Sequence, residues 1–399
     1  MTAGESHGQA LVATVDGVPA GLPLTAEDID THLARRQKGY GRGGRMAIEK
    51  DRARILTGVR HGKTLGSPIA LLMENRDWAN WQTAMSVEAL TDAQRAEEVT
   101  GAEAMRRTPI TVPRPGHADL VGGLKYDQTA DMRNILERAS ARETTARVAV
   151  SGIARRLLSE FGIVLGGRVV RIGSVAAPAP LAPVSEWAET AEASEVRCLD
   201  AEAEAAMIAE IDAARKEGDT LGGVFEVVVD GLPPGLGSHT QWDRKLDGRI
   251  AQACMCIHAM KGVEIGMGFR AAEVPGSRVH DEIVFEDGAI YRPTDGAGGL
   301  EGGITTGQPL VVRVAMKPIA TLRKALRSVD LRDHAPVDAH FERSDVCAVP
   351  AAAVVGEAMV AIVLAQAFLE KFGQDALVDI RAAYDAYLGR IAAHWKPRE

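Results

Sequence analysis

The sequence predicts an α+β fold, and three observations carry that expectation. Helical and strand-like segments are interleaved, but never as the regular strand–helix–strand units that build a doubly wound parallel sheet. The chain has 399 residues and is 46% hydrophobic, enough to bury a large core. No linker-like segment divides it, so one domain over residues 1–399 is expected.

The elements follow in order. Thr25 and Asp28 have capping-box spacing, Ile29 and Leu33 share a face, and Gly39 stops the helix, with Arg35 and Arg36 in its last turn. Residues 53–73 read as strands around a glycine-containing turn. Residues 77–113 are polar and lack a core pattern, with one short helix expected near 86–96. Ser140 and Glu143 read as a second capping box. Behind them Ala146, Val150, Ile153, Leu157 and Phe161 recur at helical spacing, up to Gly162.

A strand is expected over 163–176 and a Pro/Ala-rich loop over 177–187. An amphipathic helix over 201–217 ends at Gly218, and a strand covers 221–231. Leu246, Ile250, Ala253, Ile257 and Met260 mark a buried helix, and a β-rich, glycine-rich stretch runs to about 316. An apolar helix over 351–372 closes at Gly373, and a last amphipathic helix covers 376–394.

Composition excludes several classes. The net charge of −8 is wrong for a protein that coats duplex nucleic acid. The four cysteines show no C-x-x-C spacing, so reduced thiols are expected. No apolar run approaches the ~20 residues that span a bilayer, and the start lacks the basic and apolar regions of a signal peptide.

Five constellations could carry chemistry. Gly4-Glu5-Ser6-His7-Gly8 holds an imidazole on bare backbone, suited to proton transfer. It also matches the G-x-S-x-G string, but too few residues precede it for the strand that a nucleophile elbow needs. Arg36, Arg42 and Arg45 surround a glycine-rich loop and could fork carboxylate or phosphate; a solvated basic loop or a short RNA-binding segment is the alternative. Arg114-Pro115-Gly116-His117-Ala118-Asp119 puts a second histidine beside a carboxylate on a turn. Arg138-Ala139-Ser140 leads into a helix N-terminus, which suits a phosphate or is ordinary capping. The fifth group is distal: the glycines of 296–303, residues 317–321, and Arg343 with Asp345.

Together these segments resemble the chorismate synthase family. Its G-E-S-H-G, G-Y-G-R-G-x-R-M, R-P-G-H-A-D, R-x-S-A-R-E-T, K-G-V-E-I-G, A-G-G-x-x-G-G-x-x-x-G-Q and K-P-I segments occur here in the family's order. They are residues 4–8, 39–46, 114–119, 138–144, 261–266, 297–308 and 317–319. There are departures. The family's N-terminal strand starts a few residues earlier, R-S-D-V-C stands where R-H-D-P-C is common, and Asp295-Gly296 replaces an asparagine-containing pair.

The resemblance implies a β-α-β sandwich, a helical layer between two antiparallel sheets, assembled as a cytoplasmic homotetramer. It implies a lyase that removes phosphate from 5-enolpyruvylshikimate 3-phosphate by trans-1,4 elimination, giving chorismate for aromatic amino acid synthesis. Reduced FMN is required without net redox change, and no metal is expected. By the same resemblance, His7 protonates the departing phosphate, His117 stands beside the flavin, and Asp345 relays a proton at its N5. Ser6, Arg36, Arg42, Arg45 and Arg114 match substrate positions, although in the family the sites of Arg36 and Arg42 are also assigned to NADP. Flavin contacts fall on Arg138, Ala139, Ser140, His258, Ala259, Gly302, Lys317, Pro318, Ile319, Ala320, Thr321 and Arg343. The sequence holds no strand–GxGxxG–helix unit for NADPH. An external flavin reductase is therefore the expected partner, with NADPH at most an indirect reductant, and neither nucleic acid nor membrane is expected.

Overall fold

The structure, a computed structural model, describes residues 1–43, 50–286, 288–339 and 344–395. Arg45 and Arg343 lie outside the described residues.

Two antiparallel sheets hold the long strands among the described residues. In the smaller, Thr2–Ala3, Ala10–Val15, Ile69–Glu74 and Arg54–Ile55 lie side by side in that order. Its inner strands alternate: Leu11 and Ala13, then Ile69, Leu71 and Met73, are buried while their neighbours are not. That period of two is what one buried sheet face requires. The larger sheet runs Met260–Ile265, Leu310–Met316, Gly223–Asp230, Val164–Ile172, Val175–Ala176. Its central strand, Gly223–Asp230, is buried on both faces from Phe225 to Val229. The short helix Val184–Ala193 covers the outer face, seating Val184, Trp187 and Ala191 around Val228. This helix begins inside the segment expected to be a loop; its few apolar residues, at helical spacing, were masked by the prolines before them.

Helices Ala26–Gln37, Thr144–Ser159 and Val349–Phe372 pack on one another. Thr144–Ser159 meets the smaller sheet, and Val349–Phe372 meets the three central strands of the larger. The last helix is buried on nearly every side, as an all-round apolar helix must be. Gly356 allows its close approach, because a Cβ there would lie 2.2 Å from the Phe225 ring. By length and composition this helix is apolar enough to cross a membrane, which corrects the expectation that no run approaches that length. In this fold it is a core helix with a glutamate, Glu357, at its middle.

The polar stretch 77–113 holds two helices, Asp92–Ala96 and Gly101–Arg107, rather than one near 86–96, because short exposed helices leave no core pattern in the sequence. Two other boundaries also differ from expectation. The buried helix ends at Met255, not Met260. The chain turns through Ala259 at φ 66°, and Met260 is buried as the first residue of a strand, so the apolar period continued while the backbone did not. At Ser140 no capping box forms. Ser140 Oγ accepts from Arg142 N–H at 3.4 Å and opens a 3₁₀ turn, Ala141–Glu143, ahead of the α-helix. The Glu143 carboxylate turns instead to Arg147, 2.7 Å away. At Thr25 the predicted box is present, with Asp28 accepting from the Thr25 N–H at 2.7 Å.

Candidate active site

Loops from both sheets and the N-terminal end of the Val349–Phe372 helix surround a cavity of about 430 Å³. Ser6 and His7 enter it from the turn between Thr2–Ala3 and Ala10–Val15. Ser6 is buried and its N–H donates to the Glu137 carbonyl at 3.0 Å. The His7 N–H donates to Glu137 Oε2 at 2.7 Å, and its Nδ1 lies 2.8 Å from Oε1 of the same carboxylate. Nδ1 is thus engaged by a carboxylate, and Nε2 is the ring nitrogen opposite that contact. The ring stacks on Trp81, centroids 3.8 Å apart and planes 21° from parallel.

The second histidine is held the same way by different parts. His117 Nδ1 lies 2.5 Å from Asp119 Oδ1, on the turn at Gly116. Arg114 Nε donates to Asp119 Oδ2 at 2.8 Å, and the guanidinium also reaches Thr321 Oγ1 at 3.1 Å. Burial disfavours a charge on Asp119, but the hydrogen bonds from His117 and Arg114 outweigh it and hold the carboxyl well below its usual range. The imidazole therefore faces a permanent anion.

Cations line the same space. Arg36 is buried; its Nε donates to Thr144 Oγ1 at 2.9 Å and one terminal nitrogen to the Ala141 carbonyl at 3.0 Å. Asp51 lies behind, 3.7 Å from Arg36 and 3.2 Å from Arg142. Arg42 Nε lies 2.9 Å from Asp345 Oδ2, while Asp345 Oδ1 accepts the Gly43 N–H at 2.6 Å. Lys317 Nζ donates to the Gly116 carbonyl at 2.8 Å, and burial, then Lys261, lowers its affinity for a proton. Burial likewise pushes the His258 imidazole below its usual range; Glu143 opposes this and Arg147 adds to it. Among the described residues, Ala348, Ala351, Ala352 and Val355 supply an apolar wall.

Most residues singled out from the sequence thus meet here: Ser6, His7, Arg36, Arg42, Arg114, His117, Ala139, Ser140, His258, Ala259, Lys317, Ile319, Ala320, Thr321 and Asp345. Three do not line the cavity. The Arg138 guanidinium donates to the Gly4 carbonyl at 3.0 Å and approaches Thr2, so it braces the strand that leads into the His7 turn. Pro318 sits between lining neighbours without lining it. Gly302, at φ 60°, is in the tight turn between Leu300–Glu301 and Ile304–Thr305, near His239. The glycines before it serve backbone packing: a Cβ at Gly298 would sit 2.3 Å from the Gly266 nitrogen.

Several partners escaped the sequence reading. Arg142 lies within the R-x-S-A-R-E-T segment but was given no role, whereas Glu137 and Asp51 carry no motif, and Glu137 lies 130 residues from the histidine it holds. Trp81 had one visible signal, an indole within a polar stretch.

Comparison with known proteins agrees with the geometry. The chorismate synthase family model matches residues 1–369. The chorismate synthase of Moorella thermoacetica is 58% identical over 397 residues, covering 98% of this chain and 99% of that protein. That of Brevibacillus brevis is 57% identical over 381 residues, covering 95% and 96%. A crystal structure of a chorismate synthase superposes with TM-score 0.74 at 44% identity, covering 98% of this chain and 97% of that one. The chain belongs to the chorismate synthase family.

Proposed function

We propose that the chain converts 5-enolpyruvylshikimate 3-phosphate to chorismate and inorganic phosphate by trans-1,4 elimination, using reduced FMN with no net redox change. One observation carries the reading: two imidazoles, each fixed by its own carboxylate, line a single cavity with Arg36, Arg42, Arg114 and Arg142. The substrate bears two carboxylates and a phosphate. Desolvating such an anion needs several prepositioned cations, preferably planar forks. An overall acidic chain concentrates positive charge where it is used.

The residues present fit a flavin. Small apolar side chains at Ala348, Ala351 and Ala352 share the lining with Lys317, Ile319, Ala320 and Thr321, and with Ala139, Ser140, His258 and Ala259. That combination suits a flat hydrophobic ring system that ends in a phosphate. When bound, reduced flavin would supply electron density to the reacting ring and take up the hydrogen lost from it. The chain's own residues do the rest. His7 Nε2 protonates the departing phosphate, with Glu137 holding the ring. His117, oriented by Asp119, donates toward the flavin. Arg36, Arg42, Arg45 and Arg114 bind the anionic groups, and Arg343 joins the flavin contacts. Asp345 pairs with Arg42 at rest; its relay role requires Arg42 to shift onto the substrate and release Oδ2.

The architecture belongs to the same reading: one domain, with the helices between the two sheets as a three-layer sandwich, assembled as a cytoplasmic homotetramer supplied with reduced flavin by a separate reductase. An anaerobic assay with substrate and chemically reduced FMN tests the activity. Equal release of phosphate and chorismate is expected, with no turnover when FMN is omitted and no rapid NADPH-driven flavin reduction. No product with reduced flavin present would defeat it.

A further inference from the structure

We propose that Trp81 is a positioning residue for His7. This rests on the reading of His7 as the acid. Glycines stand at positions 4 and 8 of the turn that carries His7, so the imidazole's orientation depends on the groups around it. Glu137 fixes one edge of the imidazole through Nδ1. A hydrogen bond at one edge fixes where that edge sits but does not by itself fix the plane of the ring. The Trp81 face, at 3.8 Å and 21°, sets that plane.

Trp81 is itself immobilised from three sides. Its Nε1–H donates to Asp77 Oδ2 at 2.8 Å. Burial works against ionising Asp77, yet the hydrogen bonds from Asn80 and Trp81 keep its carboxyl below the usual range. The guanidinium carbons of Arg106 and Arg133 lie 5.5 and 5.6 Å from the indole centroid, within cation–π range. Arg133 also approaches Glu137 Oε1 at 4.0 Å, so one cation touches both groups that hold the imidazole. The segment leading to Trp81 is tied to the same turn: Asn75 Nδ2 donates to the Gly8 carbonyl at 2.9 Å and Asn75 N–H to Gln9 at 3.0 Å. The polar excursion after residue 75 is thus a strap whose indole seats the imidazole.

Two measurements test this. An imidazole stacked on an indole quenches its emission when protonated. His7→Ala should therefore brighten tryptophan emission of the purified protein, and should leave it unchanged in a Trp81→Phe background. No brightening with Trp81 in place at any pH between about 5 and 8, the range over which imidazoles change charge, would overturn the stack. In the anaerobic assay, Trp81→Ala should lower kcat about 10–100-fold, the scale of a misplaced reacting group, with KM little changed. Trp81→Phe, which keeps an aromatic face, should recover most of that loss, with melting temperatures confirming that both variants are folded. His7→Ala slow but Trp81→Ala at full speed overturns the positioning role alone. Both at full speed overturns the acid role beneath it.

Discussion

Arg35 and Arg36 are neighbours on one helix and both enter the interior, yet they end in regions with opposite purposes. A helix turns about 100° per residue, so the two side chains leave in different directions. Arg35 runs into the core, where its two terminal nitrogens donate to Glu357 at 2.8 and 2.7 Å. Arg155 reaches the same carboxylate at 2.7 Å and Arg197 at 3.3 Å, while Glu192 accepts from both Arg35 and Arg197. His32 stands in this knot uncharged, pushed down to about 3 by burial and then by Arg155 and Arg35. Gly167 closes the space, since a Cβ there would lie 2.6 Å from Glu357 Oε1. Arg36 turns instead to the cavity, where carboxylates brace the guanidiniums from behind. Both regions contain buried arginines paired with acids. What separates structure from function is geometry: cations converging on one carboxylate, against cations arranged around a space.

The comparison can be broken at several points. The largest effect should come from the cavity's histidines. His7→Ala and His117→Ala should each lower kcat about 10²–10⁴-fold, with thermal stability nearly unchanged. Near-normal turnover in either would remove that residue from the chemistry. In the knot, Glu357→Gln removes the charge shared by three guanidiniums, leaving Glu192 as the carboxylate for Arg35 and Arg197, and should cost about 3–5 kcal/mol of stability in denaturant unfolding. The protein that stays folded should keep its KM. Arg36→Lys retains charge but loses the fork. KM should rise about 10–100-fold, the loss of one charge-assisted hydrogen bond, while Arg35→Lys should act on stability instead.

The smallest effect concerns a carboxylate whose burial outweighs the pull of Arg292. Asp295 accepts from the Gly299 N–H at 2.8 Å, and its carboxyl is pushed up to about 6 by burial, with Asp281 adding to the effect. It binds its proton more tightly folded than unfolded. That stabilisation is complete below the unfolded carboxyl range and is lost as pH rises through about 6. Asp295→Asn should therefore raise the melting temperature slightly near pH ~8 and change it little near pH ~4. Equal effects at both pH values would show that the carboxyl titrates normally.

How much of this was legible in the sequence follows from the range of the interactions. The Thr25 cap, the 201–217 helix and the apolar helix before Gly373 are set by neighbours within a few residues, and they stand where the pattern put them. The ends that moved, at Met255 and at Ser140, lie where the chain turns into the cavity and tertiary contacts override local preference. The motif residues were visible because their types are unusual: histidine between glycines, arginine in glycine-rich loops. Their partners were not, because a glutamate at 137 or an aspartate at 51 resembles any surface acid until the fold buries it. Gly302 was carried by a motif, and in this fold it serves a hairpin turn outside the cavity.

The most direct test is single-turnover phosphate release under anaerobic conditions with reduced FMN, run in parallel on the wild type, His7→Ala and His117→Ala. The account predicts one phosphate and one chorismate per site from the wild type, and a slowed release from both variants. Phosphate released at the wild-type rate by either variant, or by the wild type without flavin, would contradict it.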